Sequence, residues 1–149
     1  MMGRARRKPG CPSLLRNAAM KFWRSDDRRS VGKRGEDAAA RFLAKRGFVI
    51  VERNVRSRLG EIDLVARDRE TLVFVEVKCR REPTGDPPQT AVTPDKQRRL
   101  CRLASGYLKH HRLGEVACRF DVLAVTLDAR DRVKEIRHLE HAFMAGDWG

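Results

Sequence analysis

Acidic side chains are in short supply in this chain: 20 Asp and Glu stand against 33 Lys and Arg, a net charge of +13 with a pI near 10.6. Such a deficit does not choose a fold, but it does bear on partners. Each Lys or Arg that meets a phosphate releases a condensed counterion, so the surplus favours nucleic acid. Anionic membrane surfaces would suit the charge equally well, yet the chain has no apolar run long enough to span or anchor. A membrane role is therefore not expected. The four cysteines (Cys11, Cys79, Cys101, Cys118) are far apart, form no CxxC pair and have no histidines at zinc-finger spacing. That argues against a structural zinc site and leads us to expect reduced thiols in the cytoplasm. Trp23, Tyr107 and Trp148 are too dispersed for a base-stacking platform. Gly32 and Gly35 lack the Lys-Ser/Thr ending of a P-loop, so we read them as allowing close packing or phosphate approach. There is neither an internal repeat nor a second domain.

What is present is unevenly spread. Residues 1–29 hold nine Lys/Arg against Asp26 and Asp27, more than half of the net charge. We expect a disordered, solvated basic tail there, with Met20 an alternative start, and a folded domain over residues 30–149. Within it, Ser30 is placed to cap a helix to about Arg46, stopped by Gly47 and burying Val31, Gly35, Ala38, Ala39 and Phe42. Strands follow at Phe48–Glu52, Glu61–Arg67 and Thr71–Lys78. Pro83, Gly85, Pro87 and Pro88 impose a loop. Thr93 caps a second helix with Pro94 at its first position. That helix buries Leu100, Leu103, Ala104, Tyr107 and Leu108 and ends before Gly114. Arg119–Leu127 is a fourth strand and Val133–Leu139 a weaker fifth. The order αβββαβ defines an α/β domain.

The second and third strands carry the chemistry. A hairpin centred between Arg69 and Glu70 sets Asp63 opposite Glu76 and Glu61 opposite Lys78. One face then holds Ile62, Leu64, Ala66, Val73, Val75 and Val77. The other holds Val65, Leu72 and Phe74 near the turn, with Glu61, Asp63, Glu76 and Lys78 at the open end. A half-exposed hairpin would spread its polar residues along the whole wet face; here they gather at one end. Neighbouring carboxylates repel unless a cation sits between them, and Mg²⁺ or Mn²⁺ bound by one or two carboxylates, water and phosphate oxygens would remove that cost. Lys78 is placed to orient the attacking water or to stabilise the charged transition state. Glu36 borders the buried stripe of the first helix, although an acid there also suits the helix dipole. Lys96 lines up with Leu100, Leu103 and Tyr107 and so points to the sheet, unless it merely snorkels. Arg98, Arg99 and Arg102 point more to solvent and are candidates for phosphate contact. Asp121 shares a side with Leu123 and Val125, which suggests burial with hydrogen bonds and no catalytic role. His110, His111, His138 and His141 have no evident acidic partner and read as surface or helix-end residues.

Asp63 followed by Glu76-Val77-Lys78 resembles the Asp…Glu-x-Lys signature of the PD-(D/E)xK nuclease superfamily, although Ile62 stands where that pattern has its proline. The fuller pattern is similar to the YraN-like uncharacterised bacterial protein family over roughly residues 31–143. It is carried by Gly32–Ala39, Gly60–Ala66, Phe74–Lys78, Ala91–Gln97 and Arg119–Val122. The resemblance implies a restriction-endonuclease-like core, a mixed sheet flanked by helices. It also implies a site made of Glu36, Asp63, Glu76 and Lys78 with Lys96 as an accessory, in which Asp63, Glu76 and Glu36 hold the metal. The resulting expectation is a Mg²⁺- or Mn²⁺-dependent nuclease acting on DNA more than RNA, including branched or structured forms. The alternative is a nucleic-acid-binding module that keeps the fold without turnover. Whether the chain is a monomer or a dimer is left open by the sequence.

Overall fold

A computed structural model describes residues 15–82 and 91–144, with side chains from Arg28 onward. The basic residues before Leu15, the Pro-rich loop at 83–88 and Trp148 lie outside the described residues. The chain divides after Ser30 into an N-terminal unit and a second unit, Val31–Gly149. All of the strands belong to the second unit.

Helix α1 spans Leu15–Lys45. It therefore begins well before Ser30, which is an interior residue rather than the expected cap. Pro12 is the last helix breaker upstream, and neither Gly nor Pro interrupts the chain from Leu15 to Val31. A serine caps only where the preceding backbone leaves the helix, and here nothing makes it leave. The C-terminal end is as expected, with Gly47 in the left-handed region at φ +91°.

Five strands follow the expected order with longer reach: β1 (Val49–Ser57), β2 (Gly60–Asp68), β3 (Thr71–Arg81), β4 (Cys118–Leu127) and β5 (Val133–Phe143). They form one sheet in the order β1-β2-β3-β4-β5, parallel between β3 and β4 and antiparallel elsewhere. Helix α2 (Pro94–His110) makes the crossover that a parallel pair requires. Thr93 caps it as read from the sequence, its hydroxyl accepting the Lys96 N–H at 3.3 Å. The two edge strands were under-read because an edge needs little apolar patterning. β1 continues through the polar run Arg53–Ser57 and carries a bulge between Ile50 and Glu52.

The sheet has a core on each face. On one, Ala39, Ala40 and Leu43 of α1 pack over Leu64, Ala66, Val73, Val75, Leu123, Val125 and Leu127. On the other, Leu100, Leu103, Ala104 and Tyr107 of α2 pack over Val65, Leu72, Phe74, Phe120 and Val122. Gly35 sets the depth of the first contact: a Cβ there would lie 2.4 Å from the Cys79 Cβ, so only glycine lets α1 settle on β3 at that point. This mixed sheet with a helix on each face is an α/β fold with the restriction-endonuclease-like core.

Candidate active site

The expected hairpin register holds where the strands pair: Leu64 faces Val75, Val65 faces Phe74, and so on to Asp68 and Thr71. The pairing goes no further towards the open end. Asp63 and Glu76 are the next positions, but the Asp63 carboxylate takes over there, its Oδ2 accepting the Val77 N–H at 2.8 Å. A side-chain oxygen has replaced the ladder acceptor, and the strands part below it. Two expectations change as a result. Glu61 and Lys78 do not face each other in a continuing ladder. Ile62 leaves the α1 face and joins Val65 and Phe74 under α2, because the alternation that assigned it breaks at Asp63.

The parting of the strands makes room for a carboxylate cluster. Glu36, carried in by α1 one residue after Gly35, brings an oxygen to the same place as Glu61 and Asp63, and these three oxygens all lie within 4.8 Å of one another. Glu36 and Asp63 were expected here. Glu61 was seen on the hairpin face but not assigned to the cluster, although its position two residues before Asp63 on one strand was the available clue. Its Oε2 lies 3.4 Å from Arg56 Nε. Glu76 borders the group from β3. Its side chain is only 12% exposed, its Oε1 is 3.2 Å from Lys96 Nζ, and its Oε2 is buried with no hydrogen-bond partner among the described residues.

These placements act on ionisation. Burial, followed by the charge of Glu76, pushes the Asp63 carboxyl up to about 7; the Val77 N–H and Lys96 pull the other way but lose. Burial likewise raises Glu36, against a hydrogen bond from Asn54 that lowers it. Carboxylates drawn together and short of donors, one with an orphaned buried oxygen, fit a hard divalent cation. Glu36, Glu61, Asp63 and Glu76 are the residues that would hold it.

The basic candidates separate. Lys96 joins the cluster through Glu76. Lys78, two residues along β3, donates its ammonium to the Ala91 carbonyl. Arg98 pairs with Asp95 one turn away, and the Arg99 stem covers Gly60. Arg102 lines a groove between α2 and β1. Among the described residues, Cys79, Cys101 and Cys118 are free thiols.

Away from the cluster, Asp121 is 1% exposed and fully bonded, as its position between apolar neighbours suggested. Arg119 Nε donates to it at 3.0 Å, the His141 N–H at 3.1 Å, and His138 Nε2 lies 2.8 Å away. His138 is therefore no surface residue; its side chain is 2% exposed. The pairing joins β4 to the edge strand β5, a partnership with no local sequence pattern.

The mixed sheet between its two helices defines a protein with the restriction-endonuclease-like α/β core. The family model described as uncharacterised protein family UPF0102 matches residues 35–125, and the chain belongs to that family. Similar relatives include a UPF0102 protein of Geotalea uraniireducens, 46% identical over 80% of this chain and 96% of its own length. Another, from Symbiobacterium thermophilum, is 52% identical over 76% of this chain and 98% of its own length. A third, from Geobacter sulfurreducens, is 47% identical over 76% and 88%. Among the described residues no helix is long and apolar enough to cross a membrane.

Proposed function

We propose that the protein is a Mg²⁺- or Mn²⁺-dependent nuclease that hydrolyses phosphodiester bonds in nucleic acid, DNA in preference to RNA. The observation that carries this reading is the convergence of Glu36, Glu61 and Asp63 beside a Glu76 oxygen that is buried and unpartnered. A bound divalent ion would supply Lewis-acid activation of the scissile phosphate and of water. The chain's own part is to hold four carboxylates on two strands and a helix, so that an ion and a phosphate fit between them. Lys96, from the first turn of α2, pairs with Glu76 and balances its charge until an ion binds. Lys78 donates to the neutral Ala91 carbonyl and pairs with no carboxylate among the described residues, which suits it to stabilise negative charge on the phosphate in the transition state.

The test is calorimetric titration with Mn²⁺ together with cleavage of labelled linear, flapped and four-way-junction DNA. Asp63→Asn and Glu76→Gln should each abolish Mn²⁺ binding and lower cleavage by about 10²-fold or more. Unchanged Mn²⁺ binding in both variants would remove the metal from the proposal. One observation favours a second reading, a binding module without turnover: Glu76 already has a cation in Lys96. Metal and DNA binding with no cleavage of any of these substrates would select it.

A further inference from the structure

A groove with a cavity volume of about 580 Å³ runs between β1 and α2, within the size range of sites that bury a small ligand. Val55 lies on its apolar side above the buried Ile62 and Leu103, while Arg56, Arg58 and Arg102 rim it. Leu59, at the same mouth, is 50% exposed. Among the described residues, no carboxylate holds Arg58 or Arg102.

Gly106 gives an independent indication. It lies inside α2 and lines the groove, and a Cβ there would meet nothing within 4 Å. Glycine is a poor helix former because it loses the most backbone freedom on ordering. The protein's own packing does not require it, in contrast to Gly35. What the missing side chain provides is open space in the groove wall.

One end of the groove meets the carboxylates. Asn54, on the groove wall, hydrogen-bonds Glu36, Arg56 reaches Glu61, and Ile62 immediately precedes Asp63.

We propose that this groove is the track for an unpaired nucleic-acid strand, delivering it to the carboxylate cluster. A duplex offers its exterior as phosphate and sugar, and would leave the apolar floor uncovered. An unpaired strand exposes base faces as well. Its bases cover Val55 and Leu59 while its phosphates meet Arg56, Arg58 and Arg102, the combination used wherever single strands are held without sequence preference. The inference deepens the nuclease reading by naming the form of the substrate. It rests on that reading for what happens at the cluster, but not for the binding itself.

The experiment is fluorescence anisotropy with the full chain in EDTA, using labelled oligothymidylate and a blunt duplex of the same length. The unpaired strand should bind roughly tenfold or more tightly than the duplex. Gly106→Leu fills open space and should melt no lower than wild type, yet weaken strand binding roughly tenfold while duplex binding barely moves. Arg102→Ala should make the dependence of log K on log salt shallower by about 0.7 for the strand. Duplex binding as tight as strand binding, full strand binding by Gly106→Leu, or displacement of the strand by polyglutamate as readily as by unlabelled oligonucleotide would each overturn the groove assignment. Strand binding that passes these tests without cleavage under Mn²⁺ would instead count against the nuclease reading alone.

Discussion

Two aspartates on adjoining parts of one sheet, Asp63 and Asp121, meet burial in opposite ways. Burial alone would raise Asp121, but His138, Arg119 and the His141 N–H supply enough donors to hold its carboxyl below the usual range. Asp63 receives one backbone N–H and faces other carboxylates, and burial with Glu76 beside it carries it up to about 7. Removal from water is common to both. The difference lies in what the surrounding residues offer in return. A carboxylate with a full set of donors ties β4 to β5; one left short among its own kind is the one we propose takes an ion.

The largest expected effect breaks the satisfied side of this comparison. Asp121→Ala leaves His138 without its acceptor and Arg119, only 10% exposed in its side chain, with Asp68 as its remaining partner, and should cost about 3–5 kcal/mol in urea unfolding. A loss below about 1 kcal/mol would mean that Asp121 is as dispensable to the fold as a surface acid.

The next effect reverses sign. Asp63 binds its proton more tightly folded than unfolded, where the ordinary value of 3.8 applies. Its contribution to the stability of metal-free protein is therefore fully present below about pH 4 and is lost as pH rises through about 7. Asp121, with its lowered value, contributes above the ordinary carboxylate range and loses that contribution as pH falls. Asn at position 63 mimics the protonated acid. Asp63→Asn should thus be near neutral in effect at the acid end and stabilise metal-free protein by about 1–2 kcal/mol above pH 7. Unfolding midpoints across that window check this, and a pH-independent difference between the two proteins would contradict it. Mn²⁺ should reverse the ranking, since only wild type retains the ligand.

The smallest effect concerns Lys96, whose ammonium pairs with Glu76. The Lys96 side chain is 38% exposed, so Lys96→Met should change stability by less than about 1 kcal/mol. With the competing cation gone, Mn²⁺ affinity should rise. A fall in Mn²⁺ affinity on calorimetric titration would show that Lys96 orders Glu76 for the ion instead of competing with it.

Much of this architecture was legible in the residues alone. Alternation placed Leu64, Ala66, Val73 and Val75 on one face, and the short turn after Asp68 gave the register that Leu64 and Val75 keep. Thr93-Pro94 marked the start of α2, and the helical spacing of Glu36 and Lys96 turned both towards the sheet. These are local statements, resting on periods of 2 and 3.6 residues and on capping chemistry that a few neighbouring residues decide.

What the tertiary structure decided lies where local periodicity stops. At Asp63 a side chain takes an N–H from the opposing strand, so Ile62 turns away and the expected pairing of Glu61 with Lys78 does not form. Glu61 enters the cluster because α1, seated deeply at Gly35, brings Glu36 within reach of it. Lys78 donates to Ala91 while Lys96 reaches Glu76, and His138 finds Asp121 from another strand. Each of these outcomes depends on the distance between elements far apart in the chain. Sequence sets the direction in which each side chain leaves its own helix or strand; only the packing of the elements sets which side chains meet.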